Sequence, residues 1–252
     1  MVLQRISTAI HGHPVWHAES VDDLEAFLSQ RRSTSALRIF RGQGAKWPLL
    51  PHLGRVETRG SLRAVETKLL ESFKKEAPQF APNIPNNPWD WLALAQHHGL
   101  PTRLLDWSLD PYVALWFAVR RRPKKAEHSP ELWIFTPNGE DIIDRKADQD
   151  PYRGTWTKVF RPEPWFPRVR EQKGAFTVFK YNEKWKRGFV PLEENKKLSH
   201  QLERIMFPAY KAASIRRSLA ERNILLPSLF PDLDRICHRL KQQYTRRLTN
   251  RQ

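Results

Sequence analysis

The chain has 252 residues, long enough to bury a large core, and its 40% hydrophobic content with ten Trp and thirteen Phe excludes a disordered polymer. The single cysteine, Cys237, excludes an internal disulfide and a Cys-based zinc site. The net charge of +16 favours anionic partners (nucleic acid, nucleotides or acidic protein surfaces) by sequence-independent attraction.

From the N-terminus, Met1 to His17 lacks the apolar stretch of a secretory signal. No segment approaches the roughly 20 apolar residues of a membrane span, so a cytoplasmic location without membrane contact is expected. Ser20 with Asp23 reads as a capped helix start, followed by an apolar face of Val21, Leu24, Phe27 and Leu28. Ala36 to Phe40 reads as a short strand running into Arg41-Gly42-Gln43-Gly44, where the glycines let the chain turn. Leu62, Val65, Leu69 and Phe73 mark a second amphipathic helix. After a Pro/Asn-rich loop over 78–88, Asn87-Pro88-Trp89-Asp90 starts a helix that ends at His98 and Gly99. Thr102 to Trp107 reads as a strand, and Asp110-Pro111 opens a helix from Tyr112 to Arg120. A basic loop spans Arg120 to Lys125, and Leu132 to Phe135 is a strand closed by Pro137-Asn138-Gly139. The stretch from about 140 to Pro167, with Asp141, Asp144 and Asp148, reads as an irregular surface excursion. Strands follow at Ala175–Phe179 and, more weakly, at Leu202–Phe207. Leu233, Ile236, Cys237, Leu240 and Tyr244 recur at helical spacing after Pro231, which makes Cys237 a core residue.

Three constellations carry chemistry. In Phe40-Arg41-Gly42-Gln43, a guanidinium beside glycines can set a planar fork of donors over a phosphate or pyrophosphate, with backbone N–H groups approaching the same anion. The segment from Gln96 to Ser108 gathers Gln96, His97, Thr102, Arg103, Asp106, Trp107 and Ser108 around an apolar centre. If Thr102–Ser108 is a strand, Thr102, Leu104, Asp106 and Ser108 share one face. Ion pairs of Asp106 with Arg41 or Arg103 are the structural alternative. The third stretch, Arg168 to Phe176, brings Glu171 and Gln172 to the mouth of a strand. A nucleophile elbow, a P-loop and a Rossmann fingerprint are absent, and the scattered histidines do not make a metal site.

These stretches resemble the FRG domain. The matching text is F-R-G-Q-G-x-x-W-P-L-L-P at Phe40–Pro51 and A-Q-H-x-G-L-P-T-R-L-L-D-W-S at Ala95–Ser108. It continues with A-L-W-F-A at Ala114–Ala118, R-x-Q-K-G-A-F at Arg170–Phe176, and L-F-P-D-L-D at Leu229–Asp234. The pattern in turn is similar to that of ADP-ribosyltransferases. That resemblance implies an α+β fold with a mixed, mostly antiparallel sheet and flanking helices. It divides the chain into a helical lead-in at 1–35, the FRG domain at 36–240 and a basic tail at 241–252.

The same resemblance implies NAD as substrate. Arg41 would be the NAD-binding and catalytic arginine, with Gly42, Gln43, Gln96, His97, Thr102, Arg103, Trp107 and Ser108 around the ligand. The pattern calls for a Glu at the third strand, where this chain has Gln172 with Glu171 beside it. Glu171, Gln172 or Asp106 is left to meet the developing positive charge on the ribose. The expectation is an ADP-ribosyltransferase-like enzyme modifying nucleic acid, of a toxin or antiphage kind. The alternatives are a non-catalytic nucleic-acid or nucleotide-binding module and a protein-interaction subunit with core ion pairs.

Overall fold

A computed structural model describes residues 4–8, 12–31, 36–57, 61–80, 84–121, 128–154, 156–162, 173–185, 187–225 and 229. Among the described residues, eight strands form one sheet in the order β1-β2-β8-β5-β3-β4-β7-β6. They are β1 (Gln4–Thr8), β2 (Pro14–His17), β3 (Ile39–Gln43), β4 (Leu104–Ser108), β5 (Glu131–Phe135), β6 (Lys158–Phe160), β7 (Gly174–Val178) and β8 (Leu202–Met206). Neighbours are antiparallel except β2 and β8, so the sheet is mixed and mostly antiparallel.

Among the described residues, five α-helices with described bounds accompany it: α1 (Val21–Ser29), α2 (Leu62–Glu76), α3 (Pro88–His97), α4 (Pro111–Val119) and α5 (Ala212–Glu221). Their starts follow from local chemistry. Ser20 and Asp23 form a reciprocal capping box on α1. Asn87 and Asp110 cap α3 and α4, each followed by proline at the first helical position. Among the described residues, no helix is long and apolar enough to cross a membrane.

Strand alternation divides the interior. Phe40, Leu132, Ile134 and Ile205 face α1, α4 and α5, and Leu104, Phe160, Phe176 and Val178 on the same side meet α3. Ile39, Leu105, Trp107, Trp133 and Phe135 point the other way. They are covered by Leu49, Leu50 and Leu53 and by Phe189, Leu192 and Leu198, which lie outside the α-helices and strands.

Several boundaries differ from the sequence reading. β3 begins at Ile39 and continues through Arg41 and Gly42 to Gln43, so the motif lies inside the strand and Gly42 makes no turn. Pairing of Gly42 with Leu132 and the approach of α4 hold it extended. β4 starts at Leu104 rather than Thr102. The supposed excursion after 140 contains β6, paired with β7. The segment expected to be a helical lead-in also supplies β1 and β2. The expected helix at 233–244 and the tail at 241–252 lie outside the described residues.

Candidate functional site: a cleft where the sheet splits

β3 and β4 are joined by a single paired position, Phe40 with Ser108. Beyond it the strands part. Arg41, Gly42 and Gln43 pair with β5 alone, while Leu104 to Trp107 pair with β7. The opening holds a cavity of about 780 Å³. Gly42 is what lets α4 form one wall. A Cβ there would lie 1.8 Å from the carbonyl oxygen of Ala114 and 2.6 Å from the amide nitrogen of Ala118. In the fold it permits close packing of helix on strand.

Arg41 lies beside the cleft and bridges it. Its Nη1 donates to the backbone carbonyl of Asp106 at 2.6 Å, not to the carboxylate. Its Nε is buried with no partner. Burial pushes the Arg41 guanidinium down to about 10; the Asp106 charge opposes the shift and the Arg55 charge adds to it. Arg55, in the short 3-10 turn His52–Arg55, lines the same cavity. It donates to the carbonyls of Leu50 at 3.2 Å and Pro48 at 2.6 Å. Burial lowers its pKa as well, helped by Arg187 and opposed by Glu193.

Across the cleft, Asp106 is exposed, and its Oδ2 accepts from Gln96 Nε2 at 3.0 Å. Gln96 is itself aimed by Thr102, whose hydroxyl donates to Oε1 at 2.7 Å. The turn that makes this possible is Gly99, in the left-handed region at φ 88, which ends α3 and sends the chain back into β4. Thus Arg41, Gly42, Gln43, Gln96, Asp106, Trp107 and Ser108 converge on one cavity.

The other candidates lie elsewhere. Thr102 supports Gln96 from behind. His97 packs edge-on against His98 and does not line the cavity. Arg103 points away into a buried pair with Glu66 of α2, its Nη2 2.6 Å from Oε2, under the ring of Tyr152. Neither ion pair weighed for Asp106 as the structural alternative is found: Arg41 meets the Asp106 carbonyl and Arg103 a different carboxylate, Glu66. Glu171 and Gln172 lie outside the described residues.

The sequence reading missed Arg55, Trp47, Phe117 and His128, and it took Arg120 and Arg121 for part of a surface loop. All six line the cavity. Trp47 and Phe117 stood within the quoted motifs and Arg120 and Arg121 within a basic run, but nothing local assigned Arg55 or His128 to the site. Four arginines and one carboxylate, Asp106, thus line the cavity among the described residues. Such a site attracts an extended anion, and Trp47, half exposed at 52%, and Phe117 offer flat apolar surfaces to a ring. Among the described residues no three His, Cys, Asp or Glu gather as a metal site.

Residues 37–127 match the family model of the FRG domain. The match contains both motifs that line the cleft and ends before β5. Among curated proteins and among solved structures, none matches the chain.

Proposed function

We propose that this FRG-domain chain binds NAD in the cleft between β3 and β4 and acts as an ADP-ribosyltransferase-like enzyme with nucleic acid as acceptor. The observation that carries the reading is the convergence of Arg41, Arg55, Arg120 and Arg121 on a cavity whose described lining has a single carboxylate. NAD carries a diphosphate dianion between two flat ring systems. Guanidinium forks suit its pyrophosphate, and Trp47 and Phe117 suit its rings.

In the transfer, the bond between the nicotinamide nitrogen and ribose C1′ breaks, and its electron pair stays with the nitrogen, neutralising the pyridinium. A lone pair on the acceptor forms the new bond to C1′, and the acceptor releases its proton. Arg41 and Arg55 neutralise the diphosphate. Asp106, oriented by Gln96 through Oδ2, offers its carboxylate charge to the cationic sugar. Exposed Trp47 and Arg121, both lining the cavity, and exposed Lys46 next to Trp47 supply stacking and phosphate contacts for a nucleic-acid acceptor.

A second reading, a non-catalytic nucleotide-binding module, is favoured by the engagement of the Asp106 carboxylate with Gln96. One experiment separates the two. The full-length chain is incubated with NAD and single-stranded DNA or RNA, and nicotinamide release is followed alongside the melting temperature. Release that is lost in Arg41→Ala supports the enzyme. A thermal shift without release selects the module. Neither shift nor release removes NAD from the cavity altogether.

A further inference from the structure

Gln43 is 3% exposed and lines the cleft. Its Nε2 donates to the backbone carbonyl of Trp47 at 2.9 Å. A carbonyl only accepts, so this bond fixes which end of the amide is which and leaves Oε1 as the other end. That Oε1 is buried and has no partner. Its cross-strand neighbour on β5 is Glu131, whose Oε1 accepts from Arg204 at 3.2 Å and whose Oε2 is likewise buried without a partner. No described side chain supplies the missing donor. A buried unpaired acceptor is costly, so a position that keeps one beside a cavity is suited to a ligand that donates.

Two residues earlier on the same face of β3, Arg41 keeps a buried Nε–H without a partner. The strand therefore presents one unsatisfied cationic donor and one unsatisfied neutral acceptor, about 7 Å apart along the backbone. A bare phosphate or diphosphate answers the first and not the second. A nucleoside phosphate answers both, because its ribose hydroxyls lie one sugar ring away from the phosphate. A base amine lies further off, beyond the glycosidic bond.

The geometry points to Gln43 as a specificity-determining residue whose Oε1 accepts a hydrogen bond from a ribose hydroxyl of the nucleotide whose phosphate Arg41 holds. This assignment rests on the nucleotide reading of the cleft and adds to it a reason to prefer ribonucleotides over polyphosphates and deoxy-sugars.

The test titrates the full-length protein by calorimetry with ADP, with 2′,3′-dideoxy-ADP and with inorganic pyrophosphate. The wild type should bind ADP roughly tenfold more tightly than the dideoxy compound. Gln43→Met should bind both with the weaker affinity and leave pyrophosphate binding unchanged, which a merely structural role would not do. Equal wild-type affinity for the two nucleotides overturns the assignment even if Gln43→Met does not fold, as does a Gln43→Met protein that keeps the preference. If pyrophosphate and ADP bind without regard to the hydroxyls, only the role of Gln43 falls. If neither binds, the nucleotide reading of the cleft falls with it.

Discussion

The backbone carbonyl of Asp106 accepts its bond from the Arg41 guanidinium at 2.6 Å, in the stretch where β3 and β4 have already parted. A side chain thus spans the gap between two strands that no longer pair. The same arginine has a buried Nε turned to no protein group. It is both the brace of the split and the group best placed to meet an anion entering it.

Removing that charge should separate function from stability. Arg41→Met takes away a half-buried cation whose Nε has no partner and whose desolvation is only partly offset. The expected result is a change in unfolding free energy within about 1 kcal/mol, together with loss of ADP binding by calorimetry. Arg41→Lys should also lose at least roughly tenfold in affinity, since an ammonium cannot hold the carbonyl and an anion with the same planar fork.

Asp106→Asn tests the transfer step. It keeps a side chain able to meet Gln96 but removes the charge offered to the sugar. Nicotinamide release should fall by about 10²-fold or more while ADP affinity is kept or improved. An equal fall in both would place Asp106 in binding rather than in the chemistry.

Gly42→Ala should be among the more damaging small substitutions in the chain. The added methyl meets backbone atoms of α4, which cannot move aside without lifting the helix. A loss of about 1–3 kcal/mol or more in urea denaturation is expected. Gly44→Ala, whose Cβ would lie 3.4 Å from the carbonyl oxygen of Ala118, should cost far less.

The Glu66–Arg103 pair gives a purely structural prediction. Both side chains are almost fully buried, and Glu66 also accepts from the Arg103 backbone N–H at 3.1 Å. Arg103→Met strands a buried carboxylate and should cost about 3–5 kcal/mol, whereas Glu66→Met combined with Arg103→Met should recover most of that loss. Calorimetry with ADP at a temperature where the variants remain folded should show unchanged affinity.

Glu131 sets a pH signature. Burial raises its carboxyl pKa, with the Arg204 charge opposing. A carboxyl that is harder to ionise in the folded chain binds its proton more tightly there than when unfolded. Its contribution is therefore fully present below the unfolded value and is lost as pH rises through the raised folded one. Compared with the wild type in urea titrations across mildly acidic to neutral pH, Glu131→Gln should lack this decline. A wild-type curve parallel to that of the variant would refute it.

Much of the architecture could be read from local chemistry. Ser20, Asn87 and Asp110 announce three helices, and the apolar runs at Leu132–Phe135 and Ala175–Val178 announce two strands, because caps and burial patterns act within a few residues. Arg41, Gln43, Gln96 and Asp106 were legible as polar groups in apolar surroundings. Only the tertiary structure decided what each one meets. That Arg41 binds a carbonyl, that Arg103 turns away to Glu66, and that Arg55, Trp47 and Arg121 share the cleft all depend on where β3 and β4 cease to pair. Strand pairing is a contact between residues distant in sequence, and no local pattern of charge or hydrophobicity specifies where it stops.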